Sequence, residues 1–314
     1  MTSSPASAAA PAGAAVSSKV HIGHRSADYW PFVFPALITV GSVIIFPWVF
    51  TIYMAMQEWK VGGAQSFVGF GNFARLATDT RFLESIVHTL VYTGLSVILP
   101  VILGLFSAVI FHEKFPFRGF LRGIFIMPMM ATPVAIALVW VMMFHPQLGV
   151  LNYLLSFFGI DKLTWVFNIH TVIPSLVLVE TWQWTPLVML IVLGGLSSLP
   201  TEPYESALID GANKWQMFRH ITLPMILPFL MVAVIIRTID ALKSFDIIFA
   251  ITQGGPGTAS ETINIYLYNT AFAYYNMGYG SAIAVVFFTI VVALSLVMLW
   301  LRQRTKWNLE AGAA

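Results

Sequence analysis

Residues 201–224 read TEPYESALIDGANKWQMFRHITLP and form a polar stretch between long apolar segments. Their pattern predicts two short helices joined by a tight turn. Thr201 is a good N-cap for the first helix, and Gly211 suits the turn that ends it. Asn213 can cap the second helix, which Pro224 is expected to stop before the next apolar segment. The stretch, called the elbow below, is therefore predicted to project from a membrane into water.

The composition indicates an integral membrane protein. Of the 314 residues, 58% are hydrophobic and 10% are charged, and the mean hydropathy is +0.81, whereas soluble domains carry about 25% charged residues. A membrane-spanning helix needs about 20 largely apolar residues. We therefore predict an all-α polytopic membrane protein with six spans and with the elbow between the fourth and the fifth. The predicted spans cover residues 29–56, 85–111, 123–144, 172–197, 225–250 and 281–301.

Both ends of the chain are predicted to lie in the cytoplasm. Residues 1–28 are rich in Ala, Ser and Pro, lack the apolar core of a signal peptide and read as a disordered tail. A membrane domain is expected over residues 29–307, followed by a short tail over residues 308–314. With the N-terminus inside, ten of the 16 Lys and Arg residues fall on the cytoplasmic side, four fall outside and two lie within the fifth span. This distribution follows the positive-inside rule and places the elbow in the cytoplasm.

Several kinds of chemistry are excluded by the residues present. The chain has no Cys, which excludes disulfides, thiolate metal sites and thiol nucleophiles. No Lys follows a Gly, so the GxxxxGK[ST] loop of ATP-hydrolysing proteins is absent. His112 and Glu113 begin like a HExxH zinc motif, but Pro116 occupies the position of the second His. We expect no catalytic residue, no metal site and no cofactor in this chain, and no basic run indicates a nucleic-acid partner.

Charged residues inside the fifth span need an explanation. Arg237, Asp240, Lys243 and Asp246 follow one another at intervals of three residues, a spacing that permits a ladder of ion pairs along one helix. A charge near mid-membrane costs about 2.5–3.5 kcal/mol on insertion scales, so it should face protein or a watery cavity. Two interpretations remain open: a hydrophilic stripe that lines a solute path, or self-paired charges that fix helix packing.

The fourth span offers a second polar group. Glu180 and Trp184 are four residues apart and share one face of a helix. An aromatic face can bind the apolar face of a sugar ring, and a carboxylate can accept hydrogen bonds from its hydroxyls. Trp182 is equally suited to the membrane interface, where aromatic residues collect without any ligand. We expect Glu180 and Trp184 to line the solute path.

The elbow resembles the EAA motif of permease subunits of ATP-binding-cassette (ABC) importers. The family pattern is Glu-Ala-Ala, three residues, Gly, nine residues and Ile-x-Leu-Pro; the elbow keeps this spacing and has Ser206 at the second position. The resemblance implies the type I importer permease fold, in which this segment is the coupling helix that docks on the ATPase. The positions that carry over are Glu205, Ser206, Ala207, Asp210, Gly211, Ala212, Phe218, Ile221, Leu223 and Pro224.

Two further stretches are similar to sugar-importer permeases of the maltose and glycerol-phosphate type. They are VGFGNFARL at residues 68–76 and RTIDALKSFDIIFAITQGGPG at residues 237–257. In those relatives the second stretch supplies solute contacts, mostly through uncharged residues; here Arg237 would suit an anionic group such as a sulfonate or phosphate. Together with the residues selected above, the predicted solute path consists of Glu180, Trp184, Arg237, Asp240, Ala241, Lys243, Ser244 and Asp246.

The resemblance implies one subunit of a heterodimeric permease in the lipid of the bacterial inner membrane. The expected partners are a second homologous permease, two ATPase subunits that bind ATP and Mg, and an extracytoplasmic solute-binding protein. The expected solute is a carbohydrate or a derivative: a sugar, polyol, sugar phosphate or sulfosugar. The alternative is a secondary, ion-coupled transporter in which Asp240 and Lys243 relay protons, a protein that would need no elbow.

Overall fold

The computed structural model describes residues 30–311, with side chains up to residue 300. The chain forms two units, one up to residue 49 and one from residue 50 onward. The predicted tail over residues 1–28 lies outside the described residues. Within the described part, five helices are long and apolar enough to cross a membrane, or six if one bent pair counts as a single span. This count agrees with the predicted polytopic all-α class.

The first predicted span corresponds to an apolar helical segment of 26 residues, Trp30–Ala55. Two of its polar side chains are satisfied locally, because the hydroxyls of Thr39 and Ser42 donate to backbone carbonyls four residues earlier. They therefore bring no unpaired donor into apolar surroundings. The segment consists of α1 (Trp30–Val40), a π-helical turn (Gly41–Ile45) and α2 (Phe46–Ala55).

The remaining elements follow in chain order. A hairpin of two strands, each two residues long, and a short helix lead into the long helix α4. The last helix continues ten residues beyond the predicted end of its span. The elements are β1 (Gln57–Glu58), β2 (Ser66–Phe67), α3 (Gly71–Thr78), α4 (Thr80–His112), α5 (Arg118–Met130), α6 (Pro133–Met143), α7 (Val150–Ser156), α8 (Val172–Leu196), α9 (Glu202–Ile209), α10 (Lys214–Met217), α11 (Leu223–Leu242), α12 (Asp246–Thr252), α13 (Ile263–Tyr268) and α14 (Met277–Ala311).

The third predicted span is not one straight helix. Helices α5 and α6 are bent by 98° at the break between them. Thr132 in the break has an extended backbone conformation, as expected for a residue that precedes a proline, and Pro133 then opens α6. The side-chain amide of Gln183 donates to the carbonyl oxygen of Ala131 at 3.4 Å. A partner outside the segment therefore helps to hold the break.

The fifth predicted span differs from the structure at both ends. Helix continues from Lys214 to Leu242, through a π-helical turn at Phe218–Thr222. Pro224 therefore does not stop the second elbow helix as predicted. The N–H of Leu223 bonds to the carbonyl of Phe218, five residues back, and this widened turn accommodates the proline that follows.

At its other end, α11 stops at Leu242, and α12 begins only at Asp246. The backbone N–H groups of Lys243 and Ser244 close the last turn by bonding three residues back. Because of this break, the four charged residues of the fifth span do not lie along one continuous helix. A ladder of ion pairs, which the spacing permits along one regular helix, is therefore interrupted after Leu242.

The interior is built on close contact between α4 and α8, against which α11 packs. Gly104 of α4 makes the approach possible: a Cβ at this position would lie 2.6 Å from the Cβ of Val188 and 3.0 Å from the backbone nitrogen of Met189. Val188 and Met189 are fully buried in an apolar cluster that also contains Ala108 and Ile226.

A polar network connects the start of α4 with α13 and with the first turn of α14. Asp79 caps α4 by accepting the backbone N–H of Arg81 at 3.0 Å. It also accepts the hydroxyls of Tyr266 and Tyr279, each at 2.5 Å. Burial by itself would raise the pKa of Asp79, but these hydrogen bonds together hold it below its usual value. Burial, and then the bond to this carboxylate, raise the pKa of Tyr266 to about 12.

We predict that Gly104→Ala destabilises the protein, because the added methyl collides with a fixed part of α8 rather than with a flexible side-chain end. Overpacking of this kind costs about 1–3 kcal/mol. The matched control is Gly94→Ala on the same helix, where a Cβ meets nothing within 4 Å. The midpoint of thermal unfolding of the purified protein should fall for the first variant and stay unchanged or rise for the second. Equal midpoints would contradict the proposed packing.

Candidate functional site

A cavity of about 300 Å³ lies where α8, α11 and the two helix breaks meet. We call it the polar cavity. It contains seven of the eight residues predicted for the solute path. The eighth, Ala241, is buried and does not line it. The lining residues are Pro133, Glu180, Trp184, Arg237, Asp240, Lys243, Ser244, Phe245, Asp246 and Ile247.

An ion pair between α8 and α11 forms the inner wall of this cavity. Nη2 of Arg237 donates to Oε1 of Glu180 at 2.8 Å, and the arginine side chain is 0% exposed. The guanidinium carbon lies 5.0 Å from the ring centroid of Trp184, a distance at which a cation is attracted to an aromatic face. Arg237 therefore pairs with a residue of another helix and not with Asp240, its neighbour in the predicted ladder.

Tyr92 of α4 completes this arrangement, although the sequence did not single it out. Its hydroxyl donates to Oε2 of Glu180 at 3.2 Å and lies 3.1 Å from Oγ of Ser244. One buried phenol thus connects α4, α8 and the break after α11. A single tyrosine in an apolar helix carries no sequence signal of such a role, because its partners lie 88 and 152 residues away.

Both helix breaks border the polar cavity. Pro133 follows the first break, and Ser244 lies within the second. Backbone that leaves the helical hydrogen-bonding pattern at membrane depth is tolerated where it lines a cavity or is buried in protein. In the second break, the amide of Asn264 donates to the carbonyls of Leu242 at 3.5 Å and Ser244 at 3.4 Å.

The accessible groups in the cavity are suited to binding. Lys243 and Asp246 are exposed, Asp240 and Ser244 are half-buried, and Trp184 presents an aromatic ring. These groups offer hydrogen bonds to hydroxyls and a flat apolar surface, the two features that a sugar ring requires. Among the described residues, no group of three or more His, Asp or Glu side chains could hold a metal ion.

The elbow has most of its predicted geometry. Gly211 has φ +78°, the left-handed conformation that glycine adopts at little cost. Oδ1 of Asn213 accepts the backbone N–H of Gln216 at 2.9 Å, and Oε1 of Gln216 accepts that of Asn213 at 2.8 Å. This reciprocal pair is a capping box. Thr201 precedes α9 but makes no capping hydrogen bond through its side chain.

A hydrogen bond ties the two arms of the elbow together: the hydroxyl of Tyr204 on α9 donates to Oγ1 of Thr222 at 3.0 Å. Of the ten predicted coupling residues, Glu205 and Ser206 are exposed on α9, and Phe218 and Ile221 lie in the π-helical turn. Leu223 and Pro224 form the first turn of α11. The remaining four, Ala207, Asp210, Gly211 and Ala212, surround the bend.

Large apolar side chains project from this otherwise polar segment. Ile209 is 87% exposed, Trp215 66% and Leu208 61%. Beside them, a groove of about 240 Å³ is lined by Ala207, Asp210, Ala212, Gln216, Met217, His220 and Ile221. Clustered exposed apolar groups beside polar residues are typical of a protein interaction site. The motif did not point to the three apolar residues.

The chain is similar to permeases of known transport systems. The chain is 36% identical over 271 residues to the trehalose/maltose transport system permease protein MalF of Thermococcus litoralis, covering 85% of this chain and 90% of that protein. It is 32% identical over 268 residues to the sulfoquinovosyl glycerol transport system permease protein SmoG of Agrobacterium fabrum, covering 84% and 87% of the two chains.

The fold is that of an importer permease. A chain from a bacterial ABC transporter involved in the import of the acidic polysaccharide alginate superposes with a TM-score of 0.78 at 24% identity, over 89% of this chain and 96% of that one. Nothing in these relationships supports the ion-coupled alternative. Residues 100–307 match the family described as the binding-protein-dependent transport system inner membrane component. The chain therefore belongs to this family and is a permease subunit of an ABC importer.

Proposed function

We propose that this chain forms half of the translocation pathway for a carbohydrate in an ATP-driven importer, and that the polar cavity is its part of that pathway. The observation that carries the proposal is the convergence of Trp184, Asp240, Lys243 and Ser244 on one cavity between the spans. Permeases named for trehalose/maltose and sulfoquinovosyl glycerol transport are 36% and 32% identical to the chain. These relatives support a sugar or sugar derivative as the solute.

The proposed partners are a second permease, two ATPase subunits that hold ATP and Mg, and an external solute-binding protein. A structural neighbour of this chain, with a TM-score of 0.78, comes from an alginate transporter in complex with an alginate-bound periplasmic protein. ATP hydrolysis belongs to the partners in this proposal. The exposed apolar groups of the elbow, Ile209 and Trp215 among them, would enter a surface of one ATPase subunit.

The helix that leaves the elbow suggests how motion reaches the cavity. It runs for 29 residues, from Lys214 to Leu242, without leaving helical hydrogen bonding. A helix rises about 1.5 Å per residue, so this one is long enough to connect the elbow with the cavity. Arg237 lies in its last turns, and the break at residues 243–245 follows. A displacement of the elbow by the ATPase would therefore move the wall of the polar cavity directly, converting closure of the ATPase dimer into alternating access.

The orientation of the chain can be tested with single cysteines, because the chain has none of its own. The basic-residue distribution predicts that Lys162 lies outside and Lys214 in the cytoplasm, and both side chains are exposed. We expect Lys162→Cys to react with an impermeant maleimide in intact cells and Lys214→Cys to react only after permeabilisation. The reverse labelling pattern would contradict the proposed placement of the elbow.

Gly211→Val should uncouple ATP hydrolysis from transport. A side chain at this left-handed position is strained by about 1–2 kcal/mol, so the bend opens and α9 is re-aimed relative to the ATPase. The control is Gly62→Val in the β1–β2 hairpin, where φ is +85° and a Cβ also meets nothing within 4 Å. Glu205→Lys, which reverses an exposed charge on α9, should behave like Gly211→Val.

The measurement is ATPase activity of the reconstituted complex, with and without loaded binding protein, together with solute uptake. Stimulation and uptake should be lost for Gly211→Val and kept for Gly62→Val. If both glycine variants retain them, the elbow does not couple; if both lose them, backbone strain alone is responsible.

Arg237→Met should reduce the stability of the complex. The substitution leaves the carboxylate of Glu180 buried without its cationic partner, which costs about 3–5 kcal/mol. Removing both charges in Glu180→Gln with Arg237→Met should recover a large part of the loss. Thermal unfolding of the purified complexes measures the effect. If the double variant is no more stable than Arg237→Met alone, the unpaired carboxylate is not the cause of the loss.

A further inference from the structure

The charge of Arg237 is not available to a solute. Its guanidinium is bound to Glu180, and the side chain is fully buried, with the Trp184 ring over its charged end. Two guanidinium nitrogens, Nε and Nη1, have no acceptor among the described residues, but both are shielded from the surface. An anion at the guanidinium would have to compete with a carboxylate already 2.8 Å away.

The charges that do face the opening are unequal. Besides the ion pair, the cavity lining contains three charged side chains, Asp240, Lys243 and Asp246. Two carboxylates therefore oppose one ammonium, and with the ion pair neutral the lining carries a net charge of −1. Asp240 and Asp246 lie three residues before and after Lys243, so an anion attracted by the lysine also meets their repulsion.

We propose that the polar cavity excludes anions, and that the solute crossing it is a carbohydrate without negative charge, either neutral or carrying an amino group. The carbohydrate identity rests on the proposed function. The charge preference of this chain's part of the pathway does not, because it follows from the five charged groups of the lining. It narrows the solute class that similarity leaves open, since relatives of this chain include a permease named for a sulfonated solute.

The potential in the cavity can be measured without knowing the solute. Ser244→Cys changes a single atom in the lining, and the chain has no other thiol. In the purified complex, its rate of modification is measured with three methanethiosulfonates that carry trimethylammonium-ethyl, hydroxyethyl or sulfonatoethyl groups. The rate with the cationic reagent is divided by the rate with the anionic reagent. This ratio is then divided by the ratio that the two reagents give with 2-mercaptoethanol in solution, which corrects for their different intrinsic reactivity toward a thiol. Phe245→Cys provides a second, independent position in the lining.

We expect the corrected ratio to exceed about fivefold at both positions, as an uncompensated charge a few ångströms from the thiol should produce. Adding Asp240→Asn or Asp246→Asn should lower the ratio, and adding Lys243→Met should raise it, while the neutral reagent reacts at similar rates throughout. A corrected ratio of one or less in the two single-cysteine proteins overturns the inference. Because this assay involves no transport, a complex that imports no carbohydrate but excludes the anionic reagent would refute only the proposed function.

Discussion

The carboxylate of Glu180 and the guanidinium of Arg237 lie 2.8 Å apart in the interior of the bundle. Two opposite charges can remain buried there because each compensates the charge of the other. Tyr92 holds the second carboxylate oxygen, and Trp184 covers the guanidinium. The pair thereby specifies which faces of α8 and α11 pack together. Tyr92 fixes the position of α4 against the same two helices.

The polar cavity exists because the helices near this pair are interrupted. A continuous helix would satisfy its own carbonyls and would present side chains alone to a solute. The breaks at residues 131–132 and 243–245 instead place backbone and polar side chains beside the pair, and the amides of Gln183 and Asn264 bond to the carbonyls that are freed.

The elbow differs from the polar cavity, because interactions between residues close in sequence stabilise it. Asn213 and Gln216 cap α10 reciprocally, and Gly211 makes the bend through its left-handed backbone. These contacts hold a shape without burying its apolar groups, so Ile209 and Trp215 remain exposed. A segment of this kind is rigid enough to transmit a displacement and apolar enough to bind a partner. Continuous helix then joins it to Arg237 and the cavity.

The sequence alone determined the polytopic all-α class, the elbow and the family. Length and apolarity identify a span, because backbone groups in lipid must bond within their own helix, and the elbow depends on caps and a glycine that act over a few residues. Only the tertiary structure decided that Arg237 pairs with Glu180, 57 residues away, rather than with Asp240, and that the fifth span is interrupted after Leu242. The spacing of charges along the chain permits ion pairs within one regular helix. It contains no information about the carboxylate of Glu180 or the amide of Asn264, which other segments bring to Arg237 and to the second break.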